Sequence, residues 1–225
     1  MALSGRRSEP YLRARSALLD AIRAGDYLQG QPLKAAEIAQ HLQLSPTPVR
    51  EALAYLAGAG LIAEERGVGY RGARPDADDL ADLFHLQTIY LTAVVRAGQP
   101  PAALTGADLA PAALAIAELQ GGRERMREQV RFFANLVRRG ESPALTDAYG
   151  RLCEQLAPFR EAEAAVFRDE AATWRDVAEH LRREDWGAAA AWLQEHGQRR
   201  RGGAGRILAI ARSQVRANSS GISTL

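Results

Sequence analysis

The fold of this chain is decided by LSPTPVREAL, residues 44 to 53, in which two prolines stand immediately before a helical pattern. Proline fixes φ at about −65° and lacks an N–H, so a helix tolerates it in the first turn, where the N–H groups have no intrahelical acceptor. We expect Pro48 to be the first helical residue behind a Thr47 cap, while Ser45 and Pro46 shape the turn before it. The stretch predicts a helix with a rigid N-terminus; a simple stop of the preceding helix is the alternative.

Three short helices and a β-hairpin are predicted around this stretch. Apolar residues at helical spacing mark the helices: Ala14, Ala17, Leu18, Ala21 and Ile22; Ala35, Ile38, Ala39 and Leu42; Val49, Ala52, Leu53 and Leu56. The segment YLQGQPL is a turn-rich connection between the first two helices, and Gly58 or Gly60 ends the third. LIAEERGVGYRGA, residues 61 to 73, then predicts a hairpin with a glycine-rich tip. This order is that of a winged helix-turn-helix, whose third helix enters the DNA major groove.

Charge and helix chemistry both agree with a nucleic-acid partner. The N-terminus of the third helix offers a positive dipole end to phosphate, and the first side chains of that helix can meet base edges. Residues 1–75 hold ten basic and seven acidic residues, against 19 and 20 in the rest of the chain. So small an excess supports DNA binding only together with the order of the elements.

Residues 9–75 resemble the DNA-binding domain of the GntR family of bacterial transcription factors. The family signature reads serine, arginine, threonine, proline, valine, arginine, glutamate, alanine, leucine, and the chain matches it from Ser45 to Leu53 except at Pro46. The family usually has an arginine there that reaches a guanine, so the resemblance implies that one base contact is absent. It also implies the following DNA-binding residues: Lys34, Ser45, Thr47, Pro48, Arg50, Arg66, Gly67 and Gly69.

After residue 75 the pattern is helical, with no strand signal to about residue 216. The helical stripes are Leu80, Leu83, Phe84, Leu91, Val94 and Val95; Met126, Val130, Phe133 and Val137; Leu145, Tyr149, Leu152 and Leu156; Phe159, Val166, Val177 and Leu181; and Trp186, Ala189, Ala190 and Leu193. The segment Gln99–Ala112 is predicted to be a loop or a short helix. The predicted fold is mostly α: a winged helix-turn-helix over 9–75, an antiparallel helical bundle for effector binding and dimerisation over 76–216, and a disordered tail over 217–225.

The bundle resembles the C-terminal effector domain of the FadR-like branch of the GntR family, most clearly in HLRREDWGAAAAWLQEH, residues 180 to 196. Many members of that branch hold a divalent metal through an aspartate and three histidines, and the metal then holds a carboxylate ligand. Here Gln129 takes the aspartate position, Phe133 and Trp174 take two histidine positions, and His196 alone is retained. The resemblance thus implies an effector pocket of these four residues without a metal cofactor, because one ligand cannot hold a metal.

Several classes of protein are disfavoured by the sequence. The single Cys153 excludes an internal disulfide and a cysteine-based metal cluster. No apolar run approaches the roughly 18 residues of a membrane span, and no hydrophobic stretch follows the N-terminal arginines, which predicts a bacterial cytoplasmic protein without a secretory signal. We find no Gly-rich phosphate loop, no Ser/His/Asp arrangement and no distinctive carboxylate pair, so an enzyme is not expected.

The sequence therefore predicts a homodimeric transcription regulator, taken as a repressor, that binds an inverted repeat in double-stranded DNA. A small molecule in the helical domain, hydrophobic or carboxylate-bearing, would modulate that binding. Two alternatives stay open: an interaction scaffold that uses the winged helix to bind protein, and a dimeric DNA-binding protein that has lost ligand sensing.

Overall fold

The structure is a computed structural model that describes residues 9–96 and 105–222. Its elements are α1 Glu9–Arg23, β1 Pro32–Leu33, α2 Ala35–Leu42, α3 Pro46–Gly58, β2 Ile62–Glu65, β3 Gly69–Gly72, α4 Ala77–Arg96, α5 Gly106–Glu118, α6 Gly122–Arg139, α7 Pro143–Leu156, a 3-10 turn Ala157–Phe159, α8 Arg160–Val166, α9 Ala171–Arg182 and α10 Trp186–Ile222. The chain forms two compact units, one of residues up to Pro75 with those from Arg212 onward, and one of Asp76–Ala211. The predicted mostly helical fold with a small antiparallel sheet is confirmed.

The first unit is built around the buried face of α3. Val49, Leu53 and Leu56 have no exposed surface, and they share one core with the apolar stripe of α1 and with Ala39 of α2. α3 packs against both of these helices. Since residues three and four apart lie on one face of a helix, burying this face leaves the opposite face of α3 in solvent.

The hairpin predicted after α3 is confirmed, and a third strand extends it. β2 pairs antiparallel with β3 from Ile62↔Gly72 to Glu65↔Gly69. β1 pairs with the other edge of β3, with Pro32 opposite Arg71 and Leu33 opposite Tyr70. The prediction that YLQGQPL is only a connection was therefore wrong at its end, because a strand of two residues is too short to show an alternating pattern.

Gly60, not Gly58, ends α3. Gly60 has a φ of 71°, in the left-handed region, whereas Gly58 is the last residue of the helix itself. The N–H of Leu61 donates to the carbonyl of Leu56 at 3.0 Å, and that of Gly60 donates to Ala57 at 2.9 Å. These hydrogen bonds provide donors for carbonyls at the end of the helix, and the chain then reverses direction and enters β2.

The second unit contains seven α-helices among its described residues. One prediction fails in detail, and another, of a loop or a short helix over residues 99–112, is confirmed as a helix with different bounds. The stripe from Phe159 to Leu181 is not one helix, because α8 ends at Val166 and α9 begins at Ala171. Residues 106–118 form the full helix α5, capped by Thr105, whose side chain accepts from the N–H of Asp108 at 3.3 Å; residues 99–104 lie outside the described residues.

The last helix extends beyond the residue where a tail was expected. α10 runs to Ile222, whereas the sequence predicted a disordered tail over 217–225; residues 223–225 lie outside the described residues. No proline interrupts this stretch, so a helix already formed can propagate through it. Within the first unit, the guanidinium of Arg212 donates to the carbonyl of Pro75 at 2.9 Å, and Val215 is buried.

The described helices were compared with the length and composition of membrane-spanning helices. None of them combines the length and the apolar composition that crossing a bilayer requires.

We expect Gly72→Ala to destabilise the first unit. A Cβ at position 72 would lie 2.0 Å from the carbonyl oxygen of Tyr27, a backbone atom that cannot rotate away. Overpacking of this kind costs about 1–3 kcal/mol of unfolding free energy. Gly58→Ala is the matched control, since a Cβ there meets nothing within 4 Å and alanine favours a helix. Urea unfolding measures both variants; equal stability of Gly72→Ala and wild type would show that the chain does not approach Tyr27 this closely.

Candidate functional site

The N-terminus of α3 differs from its predicted form. Ser45 is the N-cap, with φ −74° and ψ 155°, and the helix begins at Pro46 rather than at Pro48. Both prolines therefore lie in the first turn, which tolerates them because its N–H groups have no intrahelical acceptor. Of the four N–H groups usually free at a helix start, only those of Ser45 and Thr47 remain. This helix end offers a phosphate fewer backbone donors than an ordinary N-terminus would.

The exposed face of α3 carries the side chains that a ligand could meet. Thr47, Arg50 and Glu51 are all exposed, at the helical spacing that places them opposite the buried apolar face. Although Glu51 follows Arg50 directly, Arg50 has no ion-pair partner in the part of the chain that the structure describes. The guanidinium of Arg50 therefore remains available to an external acceptor.

Pro48 does not have the position expected of a DNA-contacting residue. Its ring is buried in the first unit, whereas Pro46 is exposed. Sequence spacing could not distinguish the two because both satisfy the same helix-start rule. Pro48 thus serves to fix the start of α3, and the surface there is formed by Ser45, Pro46 and Thr47.

Lys34 lies at the N-cap of α2. Its ammonium contacts Glu37 at 2.8 Å, and both side chains are more than 60% exposed. An exposed ion pair of this kind contributes little to stability. Lys34 can therefore leave Glu37 for a stronger acceptor without disturbing the fold.

The hairpin presents Arg66 and Gly67 at its exposed tip. Gly67 has φ 77° and Gly69 has φ 113°, backbone conformations that favour glycine and let the chain reverse over three residues. Arg71, which sequence reasoning did not select, fixes the base of the hairpin: it pairs with Glu65 at 2.9 Å and donates to the carbonyl of Gly30 at 2.9 Å. The exposed tip residues therefore extend from strands that the contacts of Arg71 hold in place.

Sequence reasoning also missed a contact between α1 and α3. The guanidinium carbon of Arg15 lies 4.7 Å from the centre of the Tyr55 ring, and Tyr55 is 40% exposed. Such cation–π contacts depend on how two helices pack, so no local pattern indicates them.

The four residues predicted to line an effector pocket do converge inside the second unit. All four are buried: Gln129 on α6, Phe133 one turn later, Trp174 on α9 and His196 on α10. The ring centres of Phe133 and His196 lie 5.3 Å apart, and those of Phe133 and Trp174 lie 5.8 Å apart. Gln129 Nε2 lies 3.5 Å from His196 Nε2.

Trp192 completes this cluster, although the sequence analysis did not single it out. Its ring stacks on His196 with centres 4.8 Å apart and a 28° angle between planes, and it meets Trp174 edge-on at 5.0 Å. Its position four residues before His196, on the same face of α10, was the available signal. Gln129, Phe133, Trp174, Trp192 and His196 are called the aromatic cluster below.

Three nitrogen atoms of the aromatic cluster are buried without a hydrogen-bond partner among the described residues: Nε1 of Trp174, Nε1 of Trp192 and Nδ1 of His196. Burial lowers the pKa of His196 well below its ordinary value, and the charges of Arg200, Arg199 and Arg160 lower it further. The imidazole is therefore neutral at pH 7. Both indole nitrogens are donors, whereas the role of His196 Nδ1 depends on which tautomer the imidazole adopts.

A buried ionic layer accompanies the aromatic cluster, and sequence reasoning did not find it. Arg200, one turn after His196, binds Glu170 with Nη1 at 2.6 Å and Glu163 with Nε at 3.1 Å. Arg160 binds the other oxygen of Glu163 through Nη1 at 2.7 Å. Buried charges of this kind persist because they are paired and hydrogen-bonded. The sequence spacing of charged residues on helices gives no sign of which charges turn inward.

The aromatic cluster does not fit a divalent metal. Phenylalanine and tryptophan offer no ligand atom, and an amide with one imidazole falls short of the three or four donors that such ions require in proteins. Elsewhere among the described residues, no group of three histidine, cysteine, aspartate or glutamate side chains could hold an ion.

Comparison with known proteins finds a family match within the first unit. Residues 10–71 match the family described as bacterial regulatory proteins, gntR family. Among curated proteins none matches this sequence.

Solved structures resemble the chain over nearly its whole length. A putative transcriptional regulator GntR from Rhodococcus sp. RHA1 is 23% identical with a TM-score of 0.68, covering 88% of this chain and 98% of its own. McbR/YncC of E. coli is 18% identical with a TM-score of 0.61, covering 92% and 99%. Lar, which controls the expression of the Listeria monocytogenes agr system, is 15% identical with a TM-score of 0.60, covering 90% and 99%.

These likenesses concern the fold, and the family match concerns the winged unit. The order of α1, α2, α3 and the β2–β3 hairpin agrees with that match. Residues 10–71 therefore match the winged helix-turn-helix domain of the gntR family, and over nearly its whole length the chain has the same fold as the solved structures named above.

Proposed function

We propose that this protein is a sequence-specific transcription repressor of the bacterial cytoplasm that binds an inverted repeat as a homodimer. The observation that carries the proposal is the exposed face of α3, where Thr47 and Arg50 project from a helix whose other face is locked into the core of a gntR-family domain. One protomer would read one half-site, so the two-fold symmetry of a dimer matches an inverted repeat.

The proposed DNA contacts are of two kinds, to base edges and to phosphates. Arg50 offers a guanidinium to a base edge or a phosphate, and Thr47 offers a hydroxyl to phosphate. Lys34 and Arg66 add charge from the start of α2 and from the hairpin tip. Pro46 has no donor, so its position contributes no base contact and the operator should be less constrained at the corresponding base pair.

We further propose that a small molecule in the second unit modulates DNA binding. Support comes from the convergence of Gln129, Phe133, Trp174 and His196, and from the buried nitrogens there that have no hydrogen-bond partner within the described part of the chain. α10 carries His196 in the second unit and contributes Arg212 and Val215 to the first. A ligand that favours one arrangement of this helix would change DNA affinity, and DNA would change ligand affinity by the same factor.

Arg50→Ala should weaken operator binding by about 1–3 kcal/mol, because an exposed recognition-helix arginine contributes base or phosphate contacts and no packing. The operator is first obtained by selecting bound sequences from random duplex DNA with the full-length protein. Titration of that duplex then compares wild type, Arg50→Ala and the control Arg127→Ala, which removes an exposed arginine of the second unit. Failure to select any sequence, or equal affinity of all three proteins, contradicts the proposal.

The purified protein should carry no stoichiometric divalent metal. Adding zinc, nickel or manganese should then leave both its thermal midpoint and its DNA affinity unchanged, since an ion bound to the folded state would stabilise it by mass action. Elemental analysis and thermal melting test this. About one ion per protomer, lost in His196→Ala, would show that the ligand set had been misassigned.

The folded protein should lose stability as the pH falls below the ordinary histidine pKa of about 6.5. The unfolded chain then binds a proton at His196 that the folded chain excludes, so the stabilisation present above that pH is lost below it. From pH 7 to pH 5.5 this group should contribute a loss of about 1 kcal/mol.

Urea unfolding of wild type, His196→Gln and the exposed control His41→Gln at both pH values isolates that contribution. We expect the decline to be about 1 kcal/mol smaller in His196→Gln than in the other two proteins. The same decline in all three would mean that His196 titrates normally.

A further inference from the structure

We propose that the first unit binds a small organic cation with an apolar body, in a cavity between α1 and α2. The residues that line this cavity belong neither to α3 nor to the aromatic cluster. The proposal therefore goes beyond the function proposed above and does not depend on it. Apolar side chains of the two helices would cover the body of the ligand, and the carboxylate of Asp26 would select a cation.

The cavity has the size of a small-molecule site. Its volume is about 440 Å³, and ligand pockets typically have volumes of roughly 300–1,000 Å³. α1 and α2 each pack on α3, and residues of both helices and of the turn after α1 line the space between them. Five of the lining residues are apolar: Ala17, Leu18, Ala21, Ile38 and Leu42.

Most of this apolar lining remains partly in contact with water. Leu18 is buried in the core of the unit, whereas Ala17, Ala21, Ile38 and Leu42 are only half-buried. A ligand with an apolar body would remove the remaining surface of these four side chains from water. This burial is the main source of affinity that the cavity offers.

The charged side chains that line the cavity favour a cation. Asp26 and Glu37 are acidic, and no lysine or arginine is among the described residues that line it. Glu37 pairs with Lys34 at 2.8 Å, whereas the carboxylate of Asp26 has no hydrogen bond or ion pair within the described part of the chain. Arg13 approaches only the carbonyl of Leu42, at 3.5 Å. The carboxylate of Asp26 is therefore available to a ligand cation.

Tyr27 adds an aromatic ring beside this carboxylate. The ring is half-buried and lines the cavity. Burial raises the pKa of the Tyr27 hydroxyl, and the charge of Asp26 raises it further, so the hydroxyl stays protonated at neutral pH. An ammonium group held by a carboxylate gains further when it contacts the face of an aromatic ring. The ring and the carboxylate together favour an ammonium over an uncharged group of the same shape.

The Lys34–Glu37 ion pair at the edge of the cavity should oppose this binding. Glu37 lines the cavity and Lys34 does not. A bound cation would compete with Lys34 for the carboxylate of Glu37 and would be repelled by the ammonium of Lys34. Removal of the lysine should therefore increase the affinity for the cation.

Calorimetric titration of the full-length protein, without DNA and at pH 8, tests the proposal with paired probes. Histidine is ordinarily neutral at that pH and primary amines are protonated, so the state of His41, which also lines the cavity, does not confuse the comparison. The probes are hexylamine, cyclohexylmethylamine and 2-phenylethylamine, each compared with the corresponding alcohol. At least one amine should bind with a dissociation constant below about 1 mM and about fivefold or more tightly than its alcohol. Equal affinity of amine and alcohol, or no binding by any of the three amines, overturns the proposal.

Two charge variants assign the recognition of the cation. Asp26→Asn should weaken amine binding about fivefold, whereas the control Asp82→Asn, which changes an exposed aspartate of α4, should not. Lys34→Gln should strengthen binding about twofold. A gain in affinity cannot arise from partial unfolding, so weaker binding by Lys34→Gln would contradict the assigned position of the cation.

A third variant tests the cavity itself. Ala21→Leu places a larger side chain in the cavity and should weaken amine binding at least about tenfold, whereas Ala36→Leu, at an exposed position of α2 that does not line the cavity, should not. Unchanged affinity in both Asp26→Asn and Ala21→Leu, with wild-type melting curves, would place the amine elsewhere and contradict the proposal.

Discussion

The packing of α3 is the constraint on which the first unit depends. Val49, Leu53 and Leu56 hold one face of the helix in the core, and both of its ends are fixed, by two prolines at the start and by Gly60 at the stop. Because the helix cannot rotate without exposing that face, Thr47 and Arg50 are held outward and β2 begins in a set direction. A recognition surface needs this kind of rigidity, since ordering a mobile helix would reduce its affinity for DNA.

The second unit buries polar groups as well as apolar ones, so its buried charges need partners. Arg200 finds them in Glu163 and Glu170, and removal of any one partner would leave a buried charge unpaired. Next to this ionic layer, the nitrogens of Trp174, Trp192 and His196 have no partner among the described residues. A protein that needed only a packed core would bury apolar side chains here, and the effector binding proposed above would give these polar groups a role.

Much of the first unit could be predicted from local sequence, and the reason is physical. Apolar spacing, proline and glycine act over a few residues, so α1, α2, α3 and the hairpin followed from them. The exact helix start did not, because Pro46 and Pro48 both suit a first turn and only packing decides that Pro48 is buried. β1 was missed because two residues carry no periodicity.

In the second unit, local sequence patterns predicted most of the helices but not which side chains meet between them. The convergence of Gln129, Phe133, Trp174 and His196 was expected from a resemblance and not from spacing. Trp192 and the Arg160–Glu163–Arg200 contacts depend on which faces of distant helices meet, and a single sequence does not encode that in any local pattern. The break between α8 and α9 was missed for a related reason, since the apolar residues on either side happen to keep a helical spacing.

The measurement that most directly tests the central claim is the affinity of the full-length protein for duplex DNA at several salt concentrations. If α3 and the hairpin contact the phosphates of a duplex, the logarithm of the association constant should fall linearly with the logarithm of salt, with a slope of about −0.9 for each phosphate neutralised. An affinity that does not change with salt, or no binding to duplex DNA at low salt, would contradict the account and would favour a winged helix that binds protein instead.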